Sequence, residues 1–234
     1  DAIEAADGVA LLPVTRDELR ALSRPRPLYA LSVTAALLAL WVVLGALAHT
    51  ADALALRVAC WCALALVING LVQLGHDAWH HNLFAKPWHN TLYGHLFGLL
   101  FGVSFVSARH AHLRHHWYNR TERDPDAYNV GAGVGVYVQY YLVVLAGLLL
   151  APLHFNVLYP AVYFRRRDEW GPHLVVVAVY VLAYGVLASV ADAAGLWGWA
   201  RDAWWIPLAF ASPLNGLKSV ADHYGNVWKG DRFH

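Results

Sequence analysis

The sequence predicts an all-α integral membrane protein, with four transmembrane helices and a cytoplasmic helical cap that carries clustered histidines. Three observations predict it. First, 59% of the 234 residues are hydrophobic and 14% are charged, where an ordinary soluble domain has about 25% charged residues. A soluble domain of this size cannot hide so much apolar surface, which excludes a water-soluble enzyme. Second, the apolar residues fall in runs long enough to cross hydrocarbon. Third, the chain holds 14 histidines against 17 Lys and Arg together, and most of them crowd between His76 and His116. The net charge of +1 offers no nucleic-acid surface, so no nucleic-acid partner is expected.

Residues 1–27 contain Arg16, Arg20, Arg24 and Arg26 and read as a cytoplasmic N-terminal segment, because Lys and Arg collect on that side. Leu28–His49 is the first span, about 22 residues long, enough for roughly 30 Å of hydrocarbon at 1.5 Å per residue. Leu54–Gly75 is the second, with Arg57 near its start, placed to snorkel. The short link at Thr50–Asp52 allows only a tight hairpin, and no cleavage pattern marks a signal peptide. Cys60 and Cys62 would point about 200° apart on a helix, so no disulfide joins them.

Tyr93–Val106 is apolar but only about 14 residues long, which suits a re-entrant or interfacial segment. Tyr137–Phe164 is interrupted by Pro152, His154, Asn156 and Pro160. The basic run Arg165–Arg167 follows it and is expected on the cytoplasmic side, so Tyr137–Phe164 is expected to make no net crossing. His173–Val190 and Trp197–Leu217 then lead out and back, the second with an interfacial belt of Trp197, Trp199, Trp204 and Trp205. Every histidine-rich segment ends on one face, expected to be that of a bacterial cytoplasmic membrane.

The histidines are spaced for helices. His76 and His80 are i and i+4, on one face at the end of the second span. His112, His115 and His116 are i, i+3 and i+4. Imidazole is a good ligand for iron, zinc, copper or nickel, and ionisable clusters at a membrane boundary are costly to keep without a role. Lone histidines such as His49, His154 and His173 read instead as polar residues at headgroup depth.

His76-x3-His80, then His112-x2-His115-His116, then Asp124-Pro125-Asp126 resembles the membrane fatty acid desaturase and hydroxylase family. The string Gly75-His-Asp-Ala-Trp-His80 is similar to the family's first histidine box, and His112-Leu-Arg-His-His116 with the acidic D-P-D is similar to its second. Leu217–Gly225, which holds Asp222 and His223, resembles the segment that delivers one more ligand after the last span. The family's final H-x2-H-H box is not found. The chain starts at Asp1, has no Met and stops at His234, so the expectation is a single membrane domain over 1–234 taken from a longer protein.

The resemblance implies two non-haem iron ions, with O2 as co-substrate, held by His76, His80, His112, His115, His116 and His223. Of the adjacent pair His80 and His81, which diverge by about 100°, His80 keeps the face of His76. Asp77, Asp124, Asp126 and Asp222 are the carboxylates placed to hold ligand histidines by their second ring nitrogen. His110 points elsewhere. The implied activity is O2-dependent desaturation of an acyl chain or acyl lipid drawn from the bilayer. Hydroxylation or carotenoid ketolation is the near alternative within the same superfamily. Electrons would come from a separate donor of ferredoxin or cytochrome type. Two other classes stay open: a zinc membrane hydrolase, because His76-Asp-x2-His80 differs from H-E-x2-H only at the acid, and a haem- or metal-carrying membrane protein without catalysis.

Overall fold

Helix is the regular structure throughout, and no strand occurs among the described residues. The computed structural model describes residues 15, 17, 18, 21, 24–118, 121, 123–125 and 134–223, without the side chains of 135–137, 139, 140, 220, 222 and 223. Arg120, Asp126 and the side chains of Asp222 and His223 therefore lie outside the described set.

Helix α1 (Pro27–Thr50) and helix α2 (Leu54–Trp79) form the first hairpin. Pro27 starts α1, where a missing N–H has no helical partner to lose. Helix α2 is the central post: 39% of its most apolar window is buried, against 11% for α1. Its Leu64, Ile68 and Leu71 are fully enclosed. Most other apolar side chains face outward, with Val181 and Leu182 68% and 70% exposed. Only lipid makes such a surface tolerable.

Helices α3 (Pro87–Phe101) and α4 (Phe105–Tyr118) are bent by 105° relative to each other. Where a single short segment was expected at Tyr93–Val106, the structure has two helices that together run from Pro87 to Tyr118. Gly102 makes the turn with φ 66°, a left-handed conformation natural to glycine at a helix end. Gly94 lies so close to the Phe105 ring that no Cβ fits between them, which lets α4 fold back along α3. The turn exposes backbone groups that water would otherwise satisfy. Asn156 takes two of them: its Oδ1 accepts Ser104 N–H at 2.8 Å and its Nδ2 donates to Gly102 O at 2.7 Å. Tyr180 donates to His95 O at 2.7 Å and Tyr184 to Leu99 O at 2.6 Å.

Helix α5 (Val134–Leu153) runs through a π turn (His154–Leu158) into α6 (Tyr159–Tyr163). Pro152 and Pro160 cannot donate to the carbonyls four residues before them. The wider turn between them absorbs the mismatch, and His173 Nε2 donates to Asn156 O, the carbonyl Pro160 forgoes, at 3.2 Å. Helix α7 (Arg167–Ala193) begins where Glu169 accepts the N–H groups of Arg165 and Arg166 at 2.7 and 2.9 Å. After α8 (Trp197–Ala200) a second π turn (Arg201–Trp205) leads into α9 (Ile206–His223). Here too a proline is served from outside: Pro207 leaves Ala203 O, and Trp41 Nε1 donates to it at 2.7 Å.

Among the described residues four helices are long and apolar enough to cross a membrane, α1, α2, Tyr141–Tyr163 and α7, and the bent pair α3–α4 passes the same test only when taken together. Their number is the expected one and their membership is not. Trp197–Leu217 falls outside the set, because the π turn divides it and α9 carries Asn215 and Lys218 in its 18 residues. Tyr141–Tyr163 enters the set because the π turn accommodates the prolines that were expected to interrupt it. Gly216 abuts its Val144 backbone, Leu148 packs against Ala65 and Ile68 at the middle of α2 and against Leu208 and Ala211 of α9, Phe155 lies 6.5 Å from the Trp79 ring, and Arg114 sits 4.9 Å over the Tyr163 ring.

The opposite end of the bundle is closed by charge. Asp202, 1% exposed, meets Arg57 at 3.0 Å, His49 at 3.0 Å and Arg201 at 2.8 Å. Arg57 thus pairs inward with a buried carboxylate, where snorkelling to a headgroup was expected; His49 likewise serves this structural lock.

Candidate metal centre

The first pair of histidines sits where α2 ends. His76 lies in its last turn and His80 caps it. His81 follows with φ 60°, a left-handed conformation that stops the helix and turns its ring away from that of His80. Two interactions hold this end in place. Arg109 Nε donates to Trp79 O, a carbonyl left over at the C-terminus of α2, at 2.9 Å. Asn90, fully buried, accepts the N–H groups of Leu83 and Phe84 at 3.0 and 3.1 Å and donates to Phe84 O at 2.7 Å, which clamps the loop between α2 and α3.

The bend at Gly102 then lays α4 against that end. His76, His80, His112 and His116 converge so that one ligand atom of each lies within 4.8 Å of all the others. The Nε2 atoms of His80 and His112 are 2.7 Å apart, and those of His112 and His116 are 2.9 Å apart. Lone pairs aimed at a common point repel one another unless a proton or a cation lies between them. A donor set of neutral imidazoles that meets this way fits iron, zinc or copper. Burial, with help from the neighbouring His76, lowers the pKa of His80 below the usual imidazole value, which favours the neutral ring that a metal takes.

His115 stands apart from these four. Its Nδ1 lies 2.8 Å from Asp124 Oδ1, both groups buried, and its ring centroid is 5.7 Å from that of His116. Asp124 thus holds a histidine by one ring nitrogen. Asp77 is looser, 3.8 Å from His76 Nδ1 and half exposed. His110 turns to Tyr159, whose hydroxyl lies 2.7 Å from its Nδ1, and away from the cluster. His173, expected at headgroup depth, is buried and bonded to Ser104 at 2.9 Å.

Sequence reasoning passed over Trp79, whose ring lies 5.2 Å from that of His112 and 5.8 Å from that of His76. Its position three residues after His76 on one helix was the available signal. Below the cluster opens a cavity of about 480 Å³, lined by His76, His112 and His115 and then by Phe97, Phe101, Leu148 and Phe155 among others. Histidines at one end and apolar walls beyond them allow chemistry on a greasy molecule shielded from water.

Fold and site together define a membrane-protein architecture in which four histidines converge at metal-ligand spacing. The chain belongs to the fatty acid desaturase family, whose model matches residues 52–234, a stretch that holds the whole histidine-rich region and the helices around it. No individual curated protein matches it. Membership makes the chain a membrane oxidoreductase of the desaturase and hydroxylase type. The four-histidine cluster is in keeping with the iron use of that family and exceeds the three histidines that a catalytic zinc takes.

Proposed function

We propose that this protein is an O2-dependent di-iron oxidase that desaturates an acyl chain or acyl lipid, with hydroxylation or ketolation as the neighbouring outcomes of the same attack. The observation that carries the proposal is the convergence of His76, His80, His112 and His116, two of which, His76 and His112, line the wall of an apolar cavity. In this reading these four histidines hold iron, together with His115 and His223. With Nδ1 of His115 committed to Asp124, Nε2 is the atom a metal takes. Iron supplies what zinc cannot, a change of oxidation state that lets O2 and two external electrons attack an unactivated C–H bond.

The protein's own part is placement. The rings of Phe97, Phe101 and Phe155 line a slot that keeps an acyl chain dry and extended. Asp124 fixes the tautomer and the angle of His115, and Arg109 holds α4 against α2. We place the cluster on the cytoplasmic face of a bacterial membrane, within reach of a ferredoxin or cytochrome donor. The arginines 165–167 and those near α1 support that side. In this orientation α1, α2, α7 and the less apolar α9 are read as the crossings, and α5–α6, long enough to cross by composition, as staying with the histidine end.

The purified protein is expected to contain iron, about two per chain for a site of this ligand type. His112→Ala and His116→Ala should lose iron and O2-dependent conversion of lipid, while His49→Ala, at the other end of the bundle, should keep both. Elemental analysis and oxygen uptake decide it; a single zinc with no iron overturns the proposal.

A further inference from the structure

Apart from its histidines, Trp79, Lys218 and Ser219, the cavity wall is polar in one place. Gln73 on α2 and Asn215 on α9 both line it. Asn69 Nδ2 donates to Ala211 O at 3.2 Å, and Ala65 and Ile68 pack on Leu208 and Ala211. These contacts set α2 and α9 side by side and running in the same direction. Four residues further along each helix come Gln73 and Asn215, so the two amides stand at one level. Three residues beyond Gln73 comes His76, roughly 4.5 Å along the axis at 1.5 Å per residue.

Each amide carries two donors and an acceptor. Asn69 uses its donors on Ala65 O and Ala211 O. Gln73 and Asn215 make no side-chain hydrogen bond to any described residue. Open amides in a membrane-embedded cavity are costly, and a plain methylene chain would leave them open.

We propose that Gln73 and Asn215 form a polar subsite that takes an oxygen-bearing group of the substrate, a hydroxyl or a carbonyl, one helical turn from His76. The inference rests on the oxidase reading above and narrows its substrate class. The molecule oxidised is an oxygenated lipid, attacked at a carbon near the oxygen it already has, and not the middle of an unfunctionalised chain.

The test uses the full chain in phosphatidylcholine nanodiscs, loaded with ferrous iron. Equilibrium retention of hexadecane, 1-hexadecanol and 2-hexadecanone is compared, corrected for partition into empty discs. The wild-type protein should retain the alcohol or the ketone over the alkane by roughly tenfold, the worth of one to two hydrogen bonds. The double variant Gln73→Leu with Asn215→Leu should lose that preference and bind hexadecane at least as well. Equal retention of all three by the wild type overturns the subsite, as does a preference that survives in the double variant. The wild-type comparison stands even if the variant fails to fold. Iron content and oxygen uptake are read separately. A preference without iron keeps the subsite and removes the oxidase; iron and oxygen uptake without a preference do the reverse.

Discussion

At the scale of single residues, helical periodicity explains most of the histidine cluster. His76 with His80 and His112 with His116 are i, i+4 pairs, and the structure brings all four together. The same rule separates His115 from His116 by about 100°. His115 accordingly lies outside the four-atom convergence, with its Nδ1 on Asp124, and lines the cavity beside His112. Asp124 and Trp79 illustrate two kinds of signal. The carboxylate was legible from the D-P-D motif, whereas the indole needed the bend at Gly102 to bring His112 beside it. Asp124→Asn should weaken iron binding by about 10–100-fold, the usual effect of losing a carboxylate behind a ligand histidine. Titration with a chelator measures this, and an unchanged affinity would separate Asp124 from the metal.

Among elements, hydropathy located α1, α2 and α7 well, because lipid-facing helices announce themselves by composition alone. The two proline-bearing segments were harder. Pro152 and Pro160 read as breaks, yet a π turn carries the helix through, with His173 supplying the bond Pro160 cannot make. A sequence shows where a proline removes a donor and not which distant side chain replaces it. The packing of α9 on α5 was equally invisible, since it depends on Gly216 abutting the Val144 backbone. Gly216→Ala places a methyl against main chain that cannot swing aside. A loss of about 1–3 kcal/mol of stability is expected, as for other overpacked sites. Thermal unfolding in detergent, followed by circular dichroism, would show it as a lowered midpoint; an unchanged midpoint would mean the two helices can separate slightly at no cost.

Across the whole molecule, the bundle has two dissimilar ends. One is sealed by Asp202 with Arg57, His49 and Arg201; the other gathers imidazoles over a cavity. Single cysteines placed in the run Arg165–Arg167, with Cys60 and Cys62 changed to serine, should react with an impermeant maleimide only from the cytoplasmic side. Labelling from outside would reverse the orientation proposed here. The turn at Gly102 bears on how such a molecule is made. Asn156 serves Gly102 O and Ser104 N–H, and Tyr180 and Tyr184 each add a bond to an α3 carbonyl before the turn; all three residues leave the ribosome after it. A chain that has yet to make α7 therefore lacks part of what holds this turn, and truncation before Arg167 is expected to loosen the seat of His112 and His116 against His76 and His80.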